Sequence, residues 1–364
     1  MSARVLGGDG IVTASVTVAI PVRDGGALFA GVLDALARQS VEHELLVCDS
    51  GSLDDSAALA RARGARVLEI APSQFSHGGT RNLLVREARG EHVALLTQDA
   101  EPADERWLER LLGGFELEPE VGLVYGPYRP RPGASPAVRV ELERWFASLA
   151  PDGLPRVECL AESERSLPVA ELIGRCGFFT DANACLSRAA WERVPFREVA
   201  YAEDRVLAID MLRAGYAKAY VPDAAVLHSH EYSPSEQLRR CFDEWRGLRE
   251  VYGFAEPASP RHVARKLRGE IGAARRELAG SRALPKQGVR ARTAPIRRGA
   301  ALARLVVHHS ARIVGALLGS RAGALPPWAR RRLSLEGRAG FAPLRLDALG
   351  EPPMTTAESG ERAS

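Results

Sequence analysis

An acidic pair, Glu203-Asp204 in Tyr201-Ala-Glu-Asp-Arg205, is followed about two dozen residues later by a histidine pair in Val226-Leu-His228-Ser-His230. Upstream of both lies a lone aspartate, Asp99, in Leu95-Leu-Thr-Gln-Asp-Ala100. Carboxylates and imidazoles delivered by three separate segments can assemble a metal site with a general base beside it. That set suits a reaction in which a hydroxyl attacks a carbon whose leaving group is a metal-bound diphosphate.

The elements that must position these residues are read from apolar periodicity. Val16-Thr-Val-Ala-Ile20 is a continuous β-branched run, predicted as a buried parallel strand stopped by Pro21. Ala27 to Arg38 repeats apolar residues at helical spacing, Glu44 to Cys48 is a second strand, and Ser56 to Arg63 a second helix. Val67 to Ile70, Asn82 to Arg89 and His92 to Leu96 continue as strand, helix and strand. Strand–helix alternation with short connections predicts a parallel sheet wrapped by helices, whose ligands bind beyond the carboxyl ends of the strands. Asp24, Asp49 and Asp99 each follow a predicted strand. This shared position is the main argument from the residues for an active site. Gly133 to Leu172 is less regular, with an amphipathic helix near Arg139 to Ala150, and Arg205 to Arg213 reads as helical.

At 364 residues, 46% hydrophobic and 26% charged, the chain can bury a full core, and composition excludes global disorder. The net charge of +3 conceals an asymmetry: residues 255–340 hold nineteen Arg or Lys against four Glu, which leaves the remainder at −12. A basic segment on an acidic body points to an anionic surface as its partner, with arginine-rich coding bias as the alternative. The five cysteines include no C-x-x-C and are odd in number, so neither a zinc module nor a disulfide framework follows and a reducing cytoplasm is expected. The first ten residues lack a charged head joined to an apolar core, and no apolar run reaches membrane-spanning length, so neither a signal peptide nor a span is expected.

Six segments, in order, carry a resemblance. They are Ile20-Pro-Val-Arg-Asp-Gly-Gly26; Val47-Cys-Asp-Ser-Gly-Ser-Leu-Asp-Asp-Ser56; Phe75-Ser-His-Gly-Gly-Thr-Arg-Asn82; Leu96-Thr-Gln-Asp-Ala100; Tyr201-Ala-Glu-Asp204; and His228-Ser-His-Glu-Tyr-Ser233. Over residues 16–253 the chain resembles a family 2 glycosyltransferase of the GT-A fold, and within that family bacterial rhamnosyltransferases. The resemblance implies an α/β, Rossmann-like fold with a mixed, mostly parallel sheet flanked by helices. The chain then divides into an N-terminal tail (1–14), a catalytic domain (15–255), a basic helical extension (256–345) and a polar tail expected to be disordered (346–364). A linker is expected at Glu256 to Pro260, followed by helices at His262 to Leu278 and Pro295 to Leu318. On the second of these, Arg304, His308 and Arg312 recur every four residues.

The resemblance implies roles residue by residue. Asp24 and Asp49 would contact the donor's base and ribose, with Pro21 also donor-binding; a turn and helix cap is the alternative for Asp49-Ser-Gly-Ser52, and both roles can hold together. His77, Gly78 and Arg81 would face the diphosphate near a helix amino terminus. Asp99 would be both donor contact and metal ligand, with His228 and then His230 completing the shell around Mg²⁺ or Mn²⁺. The family's D-x-D reads Thr97-Gln98-Asp99 here, a variant shared by rhamnosyltransferase-like members. Asp204, paired with Glu203, would be the general base; a solvated first turn of a helix is the alternative. Asp181 and Asn183, in Gly174-Arg-Cys-Gly-Phe-Phe-Thr-Asp-Ala-Asn183, would bind acceptor hydroxyls, or serve a turn. Gln237-Leu-Arg-Arg-Cys241 resembles the Q-x-x-R-W signature of processive members with the tryptophan replaced, so single-sugar transfer is expected.

The implied function is inverting transfer of a sugar, rhamnose from dTDP-rhamnose, to a lipid-linked or polysaccharide acceptor in cell-envelope glycan synthesis. The basic helices would hold the enzyme at the anionic inner face of the plasma membrane, or pack on the catalytic domain. Nucleic acid is not an expected partner, because the basic segment lacks interleaved aromatics. Two rivals stand: a nucleotidyltransferase, which would want a more basic loop after the first strand, and a non-catalytic transferase-like scaffold at a membrane.

Overall fold

A computed structural model describes residues 15–199, 201–280, 298–335 and 337. The tails at 1–14 and 346–364 lie outside the described residues. The amino-terminal half runs β1 (Val16–Val22), α1 (Gly26–Leu36), β2 (Glu44–Asp49), α2 (Ser56–Ala62), β3 (Arg66–Glu69), α3 (His77–Glu87), β4 (His92–Leu96), β5 (Glu101–Pro102), α4 (Trp107–Gly113), β6 (Val121–Tyr125) and β7 (Tyr128–Arg129). There follow α5 (Pro136–Leu149), β8 (Arg156–Glu158), α6 (Val169–Arg175), β9 (Asn183–Ser187), α7 (Arg188–Arg193), α8 (Glu203–Arg213), β10 (Ala217–Tyr220) and β11 (Val226–Leu227). The chain then turns helical, with α9 (Pro234–Tyr252), α10 (Pro260–Gly280), α11 (Arg298–Gly319) and α12 (Pro327–Leu333).

Eight strands form one sheet in the order β3-β2-β1-β4-β9-β6-β10-β8. Only β9 and β8 run against the rest, so the sheet is mixed and mostly parallel. Successive side chains of a strand point to opposite faces, and both faces are covered. Val16, Val18, Ile20 and Val22 of β1 pack with Phe29, Val32, Leu36 and Trp107 on one side. On the other, Ala19 belongs to a cluster with Leu84, Leu95, Leu207 and Met211.

Two local expectations are corrected. The first strand is not stopped by Pro21 but runs on to Val22. Pro21 lies past the last pair with β4, Ala19↔Leu95, where β2 alone pairs with the strand, so its missing N–H costs no bond on the β4 side. The third helix begins at His77 rather than Asn82, because the Ser76 hydroxyl caps it by accepting from the Gly79 N–H at 3.1 Å.

The predicted linker at 256–260 is anchored. Buried Glu256 receives His262 at 3.2 Å and Lys266, while its N–H donates to the Ser320 hydroxyl at 2.9 Å. Helix α11 lies against α9 so closely that a Cβ on Gly315 or Gly319 would overlap the carbonyl of Leu238 or Phe242. On the basic face of α11, Arg312 pairs with Glu141 of α5 at 2.7 Å and His308 with the same carboxylate at 3.7 Å. This face thus meets the catalytic body. Among the described residues no helix is long and apolar enough to cross a membrane.

Candidate active site

A second, three-stranded sheet, β5-β11-β7, gathers the candidate metal ligands. Leu227 of β11 is opposite Glu101 and beside Arg129, so the residue that follows, His228, arrives next to the segment carrying Asp99. Nδ1 of His228 is 3.5 Å from Asp99 Oδ1, and Nε2 of His230 is 3.4 Å from Asp99 Oδ2. One ligand atom from each of the three residues falls within 4.8 Å of the others. Burial pushes His228 down to about 4 and also lowers His230, against the pull of Asp99. Both imidazoles are therefore neutral near pH 7 and carry a lone pair for a cation. A carboxylate with two neutral imidazoles fits Mn²⁺ well and Mg²⁺ less well, since Mg²⁺ favours oxygen.

The acidic pair opens α8. Ala202, with φ of 65°, turns the chain into that helix, and a Cβ on Gly247 of α9 would overlap the Tyr201 carbonyl directly before it. Among the described residues only Asp24 and Ala202 hold positive φ without being glycine, and both flank proposed chemistry. Arg81, buried on α3, reaches Glu203 at 3.2 Å and makes a two-atom pair with Asp181, one bond at 2.8 Å. Burial first, and then the Glu203 charge, pushes Asp204 up to about 7. Its Oδ1 accepts the Arg205 N–H at 2.7 Å. Burial also drives Asp181 upward against the pull of Arg81, since three carboxylates share one guanidinium.

A closed circuit of side chains joins the two groups. From His230 the path stacks on Tyr232 at 5.1 Å and passes to Arg240, which donates to Tyr232 Oη at 3.5 Å and Tyr201 Oη at 3.1 Å. Tyr201 meets His77 at 5.8 Å, and His77 lies 3.8 Å from Glu203. The return path runs from Asp181 through its neighbour Thr180 to the Tyr128 hydroxyl, and from the Tyr128 ring to His228 at 4.7 Å. Nearby, Arg131 donates to the backbone carbonyl of Asp99 and lies 3.8 Å from Glu101. The arrangement brings a candidate cation site, two arginines and a carboxylate with the proton affinity of a base working near pH 7 to one rim of the sheet.

The remaining predicted residues take varied places. Asp24 accepts the Leu53 N–H at 2.6 Å, tying the end of β1 to the loop after β2. Asp49 is buried, and its carboxylate accepts from Gly51 N–H, Ser52 N–H and the Ser52 hydroxyl, the turn alternative. Gly78 is needed because a Cβ there would crowd the Arg197 carbonyl at 2.5 Å. Arg81, assigned from sequence to the diphosphate, is spent on Asp181 and Glu203 inside the fold. Asn183 belongs to the core: its oxygen accepts the Trp107 indole N–H at 2.8 Å, and its amide donates to Pro127 and Ala224 carbonyls. Sequence reasoning gave no role to Tyr128, Arg131, Tyr232 or Arg240. Two of them had a signal: Tyr232 stands in the His228 to Ser233 segment and Arg240 in the Q-x-x-R segment. Gln98 was also passed over: it bonds both backbone groups of Arg23, at 2.7 and 3.0 Å, and so locks the loops after β1 and β4 together.

Residues 17–180 match the family described as Glycosyl transferase family 2. The chain is 32% identical over 234 residues to the O-antigen chain rhamnosyltransferase RfbN of Salmonella typhimurium, covering 63% of this chain and 70% of that one. It is likewise 32% identical over 203 residues to the O-antigen chain rhamnosyltransferase WbaN of Salmonella anatum, covering 55% and 61%. A solved mannosyltransferase, PcManGT from Pyrobaculum calidifontis in complex with GDP-Man and Mn²⁺, superposes with a TM-score of 0.54 at 17% identity, covering 84% of this chain and 87% of that one. At that identity the likeness is one of fold.

Proposed function

The chain belongs to glycosyl transferase family 2, and from that premise we propose that it transfers rhamnose from dTDP-rhamnose, with inversion, to a lipid-linked or polysaccharide acceptor of cell-envelope glycan synthesis. The observation that carries this reading is the circuit linking Asp99, His228 and His230 to Glu203, the neighbour of Asp204. Asp204 takes the proton of the acceptor hydroxyl as its oxygen bonds to the anomeric carbon. The bond to the diphosphate oxygen breaks on the opposite face, which inverts the centre. Glu203 holds Arg81 and keeps the proton affinity of Asp204 high. Arg131 and Arg240 put positive charge beside the departing diphosphate. A divalent cation, when bound by Asp99, His228 and His230, neutralises diphosphate charge.

The proposal extends to place and partner. The enzyme works on the cytoplasmic side, with the exposed Arg331 and Arg332 of α12 drawing it to anionic lipid. The test is a thermal-shift screen of nucleotide sugars with and without Mn²⁺. dTDP-rhamnose is expected to raise Tm most, and more so with the metal. Stabilisation by nucleoside triphosphates but by no nucleotide sugar would instead establish the nucleotidyltransferase, and indifference to all of them the scaffold.

A further inference from the structure

A wall of aromatic rings leads outward from the site. Tyr128, whose ring meets His228, packs on Phe146 at 5.1 Å; Phe146 meets Phe178 at 6.1 Å; and Phe178 meets Trp145 edge-to-face at 5.2 Å and 78°. Phe146 is 5% exposed, whereas Trp145 at the outer end is 46% exposed. Phe178 stands two residues before Thr180 and three before Asp181, the carboxylate that shares Arg81 with Glu203. The wall therefore begins at the cation site, passes the acid cluster and ends in a half-open indole.

The backing of that indole is fixed. Lys218, 1% exposed, donates to the carbonyls of Cys176, at 2.7 Å, and Phe178, and pairs with Glu158 at 2.7 Å. A buried lysine spent on two backbone carbonyls holds the loop and its Phe178 ring in one place. Trp145 thus offers nearly half of its surface to water beside a ring that is itself fixed. Rigid aromatic surface costs little entropy when a ligand docks.

From these positions we infer that Trp145 is a stacking platform for a pyranose ring of the acceptor. The apolar C–H face of the sugar lies on the indole, and the ring's hydroxyls stay in water. The ligand class is a hexopyranose unit of a glycan, one ring outward from the hydroxyl that Asp204 deprotonates. This assignment rests on the transferase reading above, in which Asp204 takes the proton of the acceptor hydroxyl.

The experiment uses the full chain, dTDP-rhamnose as donor and a set of octyl hexopyranosides as acceptor probes. Trp145→Ala is expected to raise acceptor KM about tenfold. Donor KM and the slow hydrolysis of donor without acceptor stay unchanged, and Trp145→Tyr recovers most of the loss. An acceptor KM within about twofold of wild type, or a matching rise in donor KM, overturns the assignment. So does a Trp145→Ala protein that releases from lipid vesicles while its acceptor KM holds. Should wild type turn over no nucleotide sugar, the transferase reading fails instead. Quenching of tryptophan fluorescence by the octyl glycosides then decides the platform separately: loss of quenching in Trp145→Phe supports it, and no difference from wild type refutes it.

Discussion

Replacing Asp204 by Asn separates general-base chemistry from every other role of this site. Asp204 is pushed up to about 7 by burial and by the Glu203 charge. At that value about half of the molecules carry the base at pH 7, and below it the ionised fraction falls tenfold per pH unit. The acid limb of kcat/KM in wild type should therefore have a midpoint near 7, a macroscopic value that belongs to the Asp181–Glu203–Asp204 group as a whole. Asn keeps the shape of the side chain, and its oxygen can still accept the Arg205 N–H, so folding persists. Loss of general-base catalysis lowers kcat by about 10²–10⁴-fold and flattens the acid limb. Stability changes in a linked way. The folded pKa lies above the unfolded one, so the folded state binds more protons between about pH 4 and 7 and loses stability as pH rises through that window. Asp204→Asn removes this loss, and its Tm relative to wild type should be higher at pH 8 than at pH 5. The assay is initial-rate transfer from pH 5.5 to 8.5 beside thermal melts at the two ends. An Asn variant that keeps the limb near 7, or loses less than about tenfold in kcat, would show that another residue takes the proton.

Chelation with EDTA should abolish transfer and Mn²⁺ restore it, whereas His228→Ala should need about 10–100-fold more Mn²⁺ for half-activity, read by metal titration. Asn183→Ala strands the Trp107 indole and two backbone carbonyls, so urea unfolding should report a loss of roughly 3 kcal/mol. Gly319→Val forces α11 from the Phe242 carbonyl at a cost of about 1–3 kcal/mol, seen as a lowered Tm of the whole protein. Arg331→Glu with Arg332→Glu should weaken co-sedimentation with anionic vesicles roughly thirtyfold; unchanged binding would refute a lipid role for α12.

What could be read from sequence was local. The β1–α1–β2–α2–β3 succession followed from apolar spacing, because each element buries a face that its own residues define. The start of α3 was missed because Gly78 and Gly79 argue against a helix, although Ser76 offers a cap; Gly78 is retained for the Arg197 carbonyl, a contact no local pattern encodes. Strands β5, β7 and β11 are two residues each, too short for any periodicity, yet they set the meeting of Asp99 with His228. Arg81 and Asn183 were assigned to ligands because their partners, Asp181 and Trp107, are distant in the chain and invisible to spacing. The acidic and histidine pairs stood out since unusual residue types clustered, which is the one long-range signal a single sequence offers.

Helix α9 has two faces with different tasks. Arg240 reaches into the circuit of the site, while Leu238, Cys241 and Phe242 bear on the glycines of α11. The extension is thus separated from the reacting groups by one helix, about 10 Å. The packing of α11 therefore bears on the same helix that holds Arg240 beside Tyr201, so the backing of the site reaches beyond the sheet.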